Sequence, residues 1–169
     1  MTQTMPEDIQ ILPMRKEYID GFQRCLDVVA RERLYLTVVQ APPLDTTRAV
    51  VLAAIAEHVA QYVAVINHEV VGWCDINPLN NEGFEHRGEL GMGVHPHYRG
   101  LRIGQRLISH AIQKARENGL ERIEVEVFAS NVPAIKLYEK IGFIEEGVKK
   151  NARKIDGKYD DIIEMVLFV

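Results

Sequence analysis

A short basic turn between a strand and a helix is the part of the sequence whose residues most directly indicate chemistry. The turn, Tyr98 to Gly104, contains two arginines, Arg99 and Arg102, and two glycines, Gly100 and Gly104. The first N–H groups of a helix have no intrahelical partner and lie at the positive end of the helix dipole. A glycine-bearing turn that leads into such a helix start is therefore predicted to bind an anion.

Two common anion-binding motifs are excluded by their spacing. A dinucleotide-binding G-x-G-x-x-G motif that begins at Gly91 and Gly93 would need its third glycine where the chain has Pro96. A Walker loop ends in Gly-Lys-Ser/Thr, whereas Gly104 is followed by glutamine and arginine. The anion is expected to be held by a different kind of turn.

The segments on either side of the turn have clear periodicities. From Glu89 to Val94 apolar residues alternate with glutamate or glycine, which predicts a strand with one face almost free of side chains. We expect this face, at Gly91 and Gly93, to leave room for a ligand or another backbone. Apolar residues at helical spacing then predict a helix over residues 103–118, which ends at Gly119.

The rest of the chain is predicted to form elements that can position this turn. Apolar periodicity and turn residues predict strands at residues 9–13, 62–66, 70–76, 122–128, 143–153 and 159–168, and helices at residues 17–33, 45–60 and 131–141. With the segments above, the order is β-α-α-β-β-β-α-β-α-β-β. The dipeptide Asp156-Gly157 predicts a hairpin between the last two strands.

Composition restricts the class of protein. A length of 169 residues without an internal linker predicts a single domain over residues 1–169, and the formal net charge of −4 argues against a nucleic-acid or anionic membrane surface. No apolar run has the length of a membrane span, so we expect a cytoplasmic protein. Cys25 and Cys74 are interpreted as buried thiols, and the histidines lack metal-ligand spacing. The basic run at residues 149–154 is interpreted as the outward edge of a strand.

Two blocks of sequence resemble the GCN5-related N-acetyltransferase (GNAT) family. The turn Arg99-Gly-Leu-Arg-Ile-Gly104 is similar to the family's Q/R-x-x-G-x-G/A motif, with Arg102 where the family usually has its first glycine. The second block, EVEVFASNVPAIKLYEKIGF from Glu124 to Phe143, resembles the family's cofactor-binding strand, asparagine turn and tyrosine-bearing helix. The resemblance implies an α/β (α+β) fold, with a mostly antiparallel sheet of about seven strands flanked by four helices.

The resemblance also implies acetyl-CoA as co-substrate, without a metal. By motif position, the pantetheine arm would lie along residues 92–94, the turn would hold the pyrophosphate, and Asn131 would hold the cofactor near its sulfur. Arg102 would either crowd the pyrophosphate or point outward and add a charge-assisted contact, and we favour the second alternative. The implied cofactor residues are Met92, Gly93, Val94, Arg99, Gly100, Leu101, Arg102, Ile103, Gly104, Gln105, Asn131 and Tyr138.

The implied reaction is the attack of a neutral amine on a thioester. By motif position, Tyr138 resembles the family's general acid, although a core aromatic residue is the alternative. For the base, Glu126 is the best positional match because it stands five residues before Asn131, and Glu89 is its competitor. A solvated strand position is the alternative for Glu126.

The acceptor amine is expected to meet residues from the first two helices and their connection. The substrate-binding candidates are Tyr35, Leu36, Trp73 and Asp75, followed by Thr37, the Pro42-Pro43 turn, Arg31 and Arg33. The predicted function is acetylation of a primary amine of a small molecule or amino acid. The alternatives are a protein N-terminal acetyltransferase of the ribosomal-protein type and a non-catalytic acetyl-CoA-binding module. The apolar second helix also favours a homodimer, and no nucleic-acid or membrane partner is expected.

Overall fold

A seven-stranded mixed sheet with helices on both faces forms the centre of the protein, in a computed structural model that describes residues 8–169. The elements are β1 (Gln10–Pro13), α1 (Ile19–Arg31), α2 (Leu44–Ala56), β2 (Ala60–Ile66), β3 (Glu69–Pro78), β4 (Arg87–Val94), α3 (Ile103–Glu117), β5 (Arg122–Phe128), α4 (Val132–Ile141), β6 (Ile144–Ile155) and β7 (Lys158–Phe168). The predicted element order and fold class are confirmed. Single turns of 3₁₀ helix precede α1 at Lys16–Tyr18 and follow β4 at Pro96–Tyr98.

The strand order β1-β2-β3-β4-β5-β7-β6 places the two motif-bearing strands side by side. Every neighbouring pair is antiparallel except β4 and β5, which are parallel. Parallel neighbours need a crossover connection, and α3 provides it. The helix that follows the basic turn therefore connects the two motif-bearing strands, β4 and β5, along the chain.

Two apolar layers hold the helices to the sheet. One face of the sheet packs against α3 and α4, in a cluster that includes Leu107, Ile108 and Ala111. The opposite face packs against α1 and α2, in a cluster that includes Ile19, Val29 and Trp73. Because β5 to β7 lie beyond the reach of α1 and α2 in the strand order, polar side chains on that face of β5 stay open to solvent.

The hairpin turn predicted at Asp156-Gly157 forms, and a second turn of the same kind joins β2 to β3. Asn67 and His68 have φ angles of 47° and 65°, and Asp156 and Gly157 have φ angles of 50° and 75°. Two consecutive residues with positive φ form the turn whose twist matches antiparallel strands.

The second helix is less buried than its composition suggests. Val51 and Ala54 of α2 are buried, whereas Val50 and Leu52 are exposed. No partner chain is part of the structure, so the predicted dimer stays a prediction. None of the helices within residues 8–169 has the length and apolar character that crossing a membrane requires.

Candidate active site

The main cavity lies where β4 and β5 separate. The two strands pair only from Arg87 to Glu89 on β4 and from Arg122 to Glu124 on β5. Beyond these three residues the strands diverge, and residues of both strands line a cavity of about 1010 Å³. The diverging edges leave backbone N–H and C=O groups that are not used in a β4–β5 ladder, so an extended ligand can pair with them.

The basic turn closes one end of this cavity. Gly100 and Arg102 have φ angles of 80° and 61°, and α3 begins directly afterwards at Ile103. No side chain caps the start of α3, so its first backbone N–H groups are available to an anion. A Cβ atom at Gly104 would lie 3.1 Å from Met92 Cε and 3.3 Å from Leu137 Cδ2, so glycine lets α3 lie close to β4 and α4.

Most of the predicted cofactor residues are brought together. The cavity wall contains Met92, Gly93, Val94, Arg99, Gly100, Arg102, Ile103, Gly104, Gln105, Asn131 and Tyr138. Leu101 is the exception, because it lines a second cavity of about 630 Å³ on the other side of the turn. Asn131 also caps α4, with its side-chain oxygen accepting a 3.3 Å hydrogen bond from the Ala134 N–H.

The Arg99 side chain joins the turn to the end of α1. Its Nη1 and Nη2 atoms donate to the two carboxylate oxygens of Glu32 at 2.8 and 2.5 Å, and its Nε donates to the Val94 carbonyl at 3.0 Å. The guanidinium also lies 4.9 Å from the centre of the Tyr35 ring. These contacts raise the pKa of Arg99, chiefly through the hydrogen bonds to Glu32. The sequence reasoning missed Glu32, since nothing in its local sequence sets it apart from other carboxylates at helix ends.

Tyr138 lies in the cavity wall with its ring in the core. The residue is 5% exposed, and its ring is 5.5 Å from that of Phe143. Its hydroxyl has no hydrogen-bond partner among residues 8–169. Burial, followed by the charge of Cys74, raises the pKa of the Tyr138 hydroxyl well above its usual value. The hydroxyl is therefore a protonated donor at physiological pH.

The two candidate bases differ in their partners. Glu126 forms an ion pair with Lys149, whose Nζ also lies 3.1 Å from the Glu164 carboxylate. These two hydrogen bonds raise the pKa of Lys149. Glu89 also lines the cavity, but its side chain makes no hydrogen bond or ion pair with any residue from 8 to 169.

Two further carboxylates of the cavity wall, Glu124 and Glu146, are neutralised by arginines. Arg87 donates to both carboxylate oxygens of Glu124 at 2.8 to 3.0 Å, and Arg122 reaches Glu124 at 3.1 Å and also pairs with Glu146. Among the glutamates that line the cavity, only Glu89 lacks a cationic partner in the described part of the chain.

The basic run lies on β6, the edge strand of the sheet, and Lys149, Lys150 and Lys154 are exposed, as predicted. Lys149 has a further position that the sequence did not predict, because its half-exposed side chain also lines the cavity. The register of β6 against β7 shifts between Glu145 and Gly147, so simple alternation along the strand does not predict which face Lys149 occupies.

Trp73, a predicted substrate-binding residue, does not reach the cavity. The residue is 4% exposed, packs edge-on against Phe22 of α1 at 5.6 Å, and is absent from the cavity wall. A Cβ atom at Gly93 would lie 2.7 Å from Trp73 Cζ3 and 2.8 Å from Cζ2. The indole ring of Trp73 therefore fills the space above Gly93, and this face of β4 has no room there for a pantetheine arm.

Asp75 lies beside the cavity wall and does not form part of it. It faces Gly91 of β4, where an added Cβ atom would be 3.4 Å from Asp75 Oδ1, and that oxygen accepts a 2.6 Å hydrogen bond from Asn77. Burial raises the pKa of the Asp75 carboxyl to about 6, against the lowering effect of Asn77.

The connection between α1 and α2, residues 32–43, supplies the opposite wall, and we call it the acceptor segment. Tyr35, Leu36 and Thr37 line the cavity, whereas Pro42 and Pro43 do not. The two arginine candidates for an acceptor carboxylate are already paired. Arg31 binds Asp27 at 2.7 Å on a solvent-exposed helix face, and Arg33 binds Asp156 at 2.9 Å. No group of three or more His, Cys, Asp or Glu side chains within residues 8–169 is placed to hold a metal ion.

Comparisons with known proteins agree with this geometry. A model of the acetyltransferase (GNAT) family matches residues 25–143. The L-amino acid N-acetyltransferase AaaT of Escherichia coli K12 is 33% identical over 109 residues, which cover 63% of this chain and 67% of that protein. The [ribosomal protein bS18]-alanine N-acetyltransferase of the same strain is 37% identical over 73 residues, 43% of this chain and 49% of that enzyme. The alignment thus spans about half the length of the ribosomal-protein relative.

Solved structures show the same fold. A GNAT-family acetyltransferase from Streptococcus pneumoniae superposes with a TM-score of 0.89 at 20% identity, over 95% of this chain and 99% of that chain. The protein yncA of Salmonella typhimurium, solved with its cofactor acetyl-CoA, gives a TM-score of 0.89 at 20% identity, over 95% and 94% of the two chains. A family match over most of the chain, on a site with an open strand pair and an anion-binding turn, establishes that the chain belongs to the GNAT acetyltransferase family and is an acetyl-CoA-dependent N-acetyltransferase.

Proposed function

We propose that the protein transfers the acetyl group of acetyl-CoA directly to the primary amine of a small molecule or an amino acid, in the cavity between β4 and β5. The observation that carries the proposal is the separation of these strands after three paired residues, at a cavity that ends on the start of α3. A volume of about 1010 Å³ is at the upper end for small-molecule sites, so the cavity has room for a cofactor arm and an acceptor together.

The cofactor is assigned to the side of the cavity formed by β4 and the turn. The pantetheine arm adds to the unpaired edge of β4 from Met92 to Val94 as an extra strand. Its pyrophosphate is held by the first N–H groups of α3 and by Arg102, which is exposed and has no carboxylate partner among residues 8–169. The side chain of Arg99 is already used by Glu32, so Arg99 contributes through its backbone.

Glu89 is proposed as the base, directly or through one water molecule. An amine is protonated at neutral pH and must lose a proton before it attacks. Glu89 lines the cavity and is unpaired, whereas Glu126 would first have to release Lys149. The unpaired charge of Glu89 also attracts the acceptor ammonium.

Tyr138 is proposed as the general acid. As the amine nitrogen forms its bond to the thioester carbon, the carbon–sulfur bond breaks and CoA leaves as a thiolate. The raised pKa keeps the Tyr138 hydroxyl protonated, and it has no protein acceptor among residues 8–169, so it is available to hydrogen-bond this sulfur and to pass it a proton as charge develops there. The acceptor ammonium loses two protons in all. The first goes to Glu89 or its water before the attack and then to solvent, and the second, lost by the nitrogen as the amide forms, replaces the proton that Tyr138 gives to the sulfur.

The test is a CoA-release assay over a panel of L-amino acids, primary amines and peptides. Replacement of Tyr138 by Phe keeps the ring that packs on Phe143, and it should lower kcat by about 100-fold or more, in the range expected of a general acid. Tyr62→Phe is the matched control, because Tyr62 is a partly buried tyrosine outside the cavity wall. Failure of every amine to release CoA above background would refute the proposal.

The choice of base is tested separately. Glu89→Gln should lower kcat/KM by about 100-fold, while Glu126→Gln should have a smaller effect. A larger loss from Glu126→Gln would reverse the assignment.

A protein N-terminus is the second candidate acceptor. It is supported by the 37% identity to an enzyme named for the alanine of ribosomal protein bS18, and by the position of Glu126 five residues before Asn131. The L-amino acid alternative is supported by the relative AaaT, which matches over a longer stretch. Mass spectrometry of peptides and free amino acids incubated with acetyl-CoA separates the two. Tight acetyl-CoA binding without any product would instead indicate a non-catalytic module.

A further inference from the structure

The acceptor segment is joined to the cofactor turn by one side chain. Arg99 belongs to the turn, yet its three nitrogens donate to Val94 at the end of β4 and to both oxygens of Glu32 at the end of α1. Its guanidinium faces the ring of Tyr35, which lines the acceptor side of the cavity. The contacts of Arg99 thus extend from the cofactor side of the cavity to the acceptor side.

The position of Glu32 is explained by this contact. Glu32 follows the last residue of α1, where the helix dipole is negative, so a carboxylate is unfavourable there unless a cation neutralises it. Arg99 supplies that cation in a two-pronged pair, in which the two side chains are only 33% and 21% exposed. A pair of this geometry holds its two elements at a fixed distance more firmly than a single exposed contact.

The other anchors of the acceptor segment lie at its two ends. Arg33 pairs with Asp156 in the β6–β7 hairpin, and Arg153 of β6 donates to the Arg33 carbonyl at 2.8 Å and stacks 4.2 Å from Phe128. These contacts hold the start of the segment.

The end of the segment is held by α1. Asp27 accepts a 2.9 Å hydrogen bond from the Ala41 N–H, and Gln23 donates to the Pro42 carbonyl at 3.2 Å. Among the interactions described, Arg99 is the residue that joins the segment to the cofactor turn.

We propose that Arg99 and Glu32 are positioning residues that transmit cofactor binding at the turn to the acceptor wall at Tyr35, Leu36 and Thr37. When acetyl-CoA fixes the turn, Arg99 fixes the end of α1 and the ring of Tyr35, and the acceptor meets an ordered wall. Without the Arg99–Glu32 ion pair, the turn still binds the cofactor, but cofactor binding no longer orders the acceptor wall. The inference rests on the proposed function only in placing the pyrophosphate at this turn.

Hydrogen exchange with and without acetyl-CoA tests the coupling without knowledge of the acceptor. In the wild type, acetyl-CoA should slow exchange about tenfold both in the turn, residues 99–105, and in the acceptor segment, residues 34–37. In Glu32→Gln, slowing in the turn should persist with an acetyl-CoA Kd within about threefold of the wild type, and slowing in the segment should be lost. Arg99→Lys keeps the charge but loses the two-pronged contact, so it should keep only part of the slowing that acetyl-CoA causes in the segment.

Asp20→Asn is the matched control. Asp20 lies on α1, the helix that Glu32 follows, and pairs with Arg48 of α2, and neither residue lines the cavity. Removal of this ion pair should leave both responses as in the wild type. Segment protection that survives in Glu32→Gln, or wild-type protection confined to the turn, would overturn the coupling and leave the proposed function intact. Absence of protection in the wild-type turn would overturn the cofactor site itself, and the coupling with it.

Discussion

Arg102 occupies a backbone conformation that favours glycine, and this makes two substitutions informative. Its φ angle is 61° and its ψ angle is 18°, at the residue that precedes α3. A non-glycine residue in this region experiences a clash between its Cβ and the following carbonyl that costs about 1–2 kcal/mol. Arg102→Ala removes the charge and keeps the clash, whereas Arg102→Gly removes both.

The two variants should therefore differ in stability and agree in cofactor affinity. Glycine loses more backbone freedom on folding, which offsets about 0.5–1 kcal/mol of the gain. We expect Arg102→Gly to have a free energy of unfolding about 0.5–1 kcal/mol higher than Arg102→Ala. Because Arg102 is exposed, its charge contributes modestly at the pyrophosphate, so both variants should bind acetyl-CoA about three- to fivefold more weakly.

Urea unfolding and calorimetric titration with acetyl-CoA at two salt concentrations measure these quantities. The affinity difference between wild type and variants should shrink at high salt, because an exposed charge is screened. Tighter binding by both variants would show that Arg102 crowds the pyrophosphate, and refute the outward-pointing interpretation. Equal stability of the two variants would refute the strain at this residue.

Three further predictions concern the core beside the cavity. Gly93→Ala places a methyl group under 3 Å from Trp73 and should lower the free energy of unfolding by about 1–3 kcal/mol in urea, whereas Gly91→Ala, whose nearest contact is 3.4 Å, should lower it less. The pKa of Asp75 is about 6 in the folded protein and about 3.9 unfolded, so its contribution to stability is full below about pH 4 and is lost as the pH rises to about 6. Asp75→Asn should remove this dependence and raise the free energy of unfolding at pH 7 by about 2 kcal/mol; an unchanged pH profile contradicts it. Burial raises the pKa of the Cys25 thiol to about 12, and it also raises the pKa of the buried Cys74 thiol. Neither thiol should therefore react with a thiol reagent at pH 8 until the protein unfolds. Rapid labelling of the native protein would disprove this.

Local sequence predicts the elements of this fold because they depend on short-range periodicity. The alternation from Glu89 to Val94, the helical spacing from Ile103 and the Asp156-Gly157 turn all lie where expected. Each signal arises from a repeat of about two or 3.6 residues, which a burial face imposes directly on neighbouring residues. The turn from Arg99 to Gly104 also lies where its contiguous motif predicts, directly before α3, and its anion-binding role stays a prediction.

The face of Lys149 depends on the register of β6 against β7, which a bulge shifts. The burial of Trp73 depends on Phe22, which is far away in sequence.

For this protein, the sequence alone determined the element order and the family and predicted the residues of the cofactor turn, because these follow from contiguous stretches of chain. Tertiary structure decided which carboxylate of the cavity is unpaired and which residue the Arg99 side chain binds. Glu126 with Lys149, and Arg99 with Glu32, are pairs separated by 23 and 67 positions in the chain. Electrostatic contacts between such distant residues depend on how strands and helices pack together, and no local pattern records them.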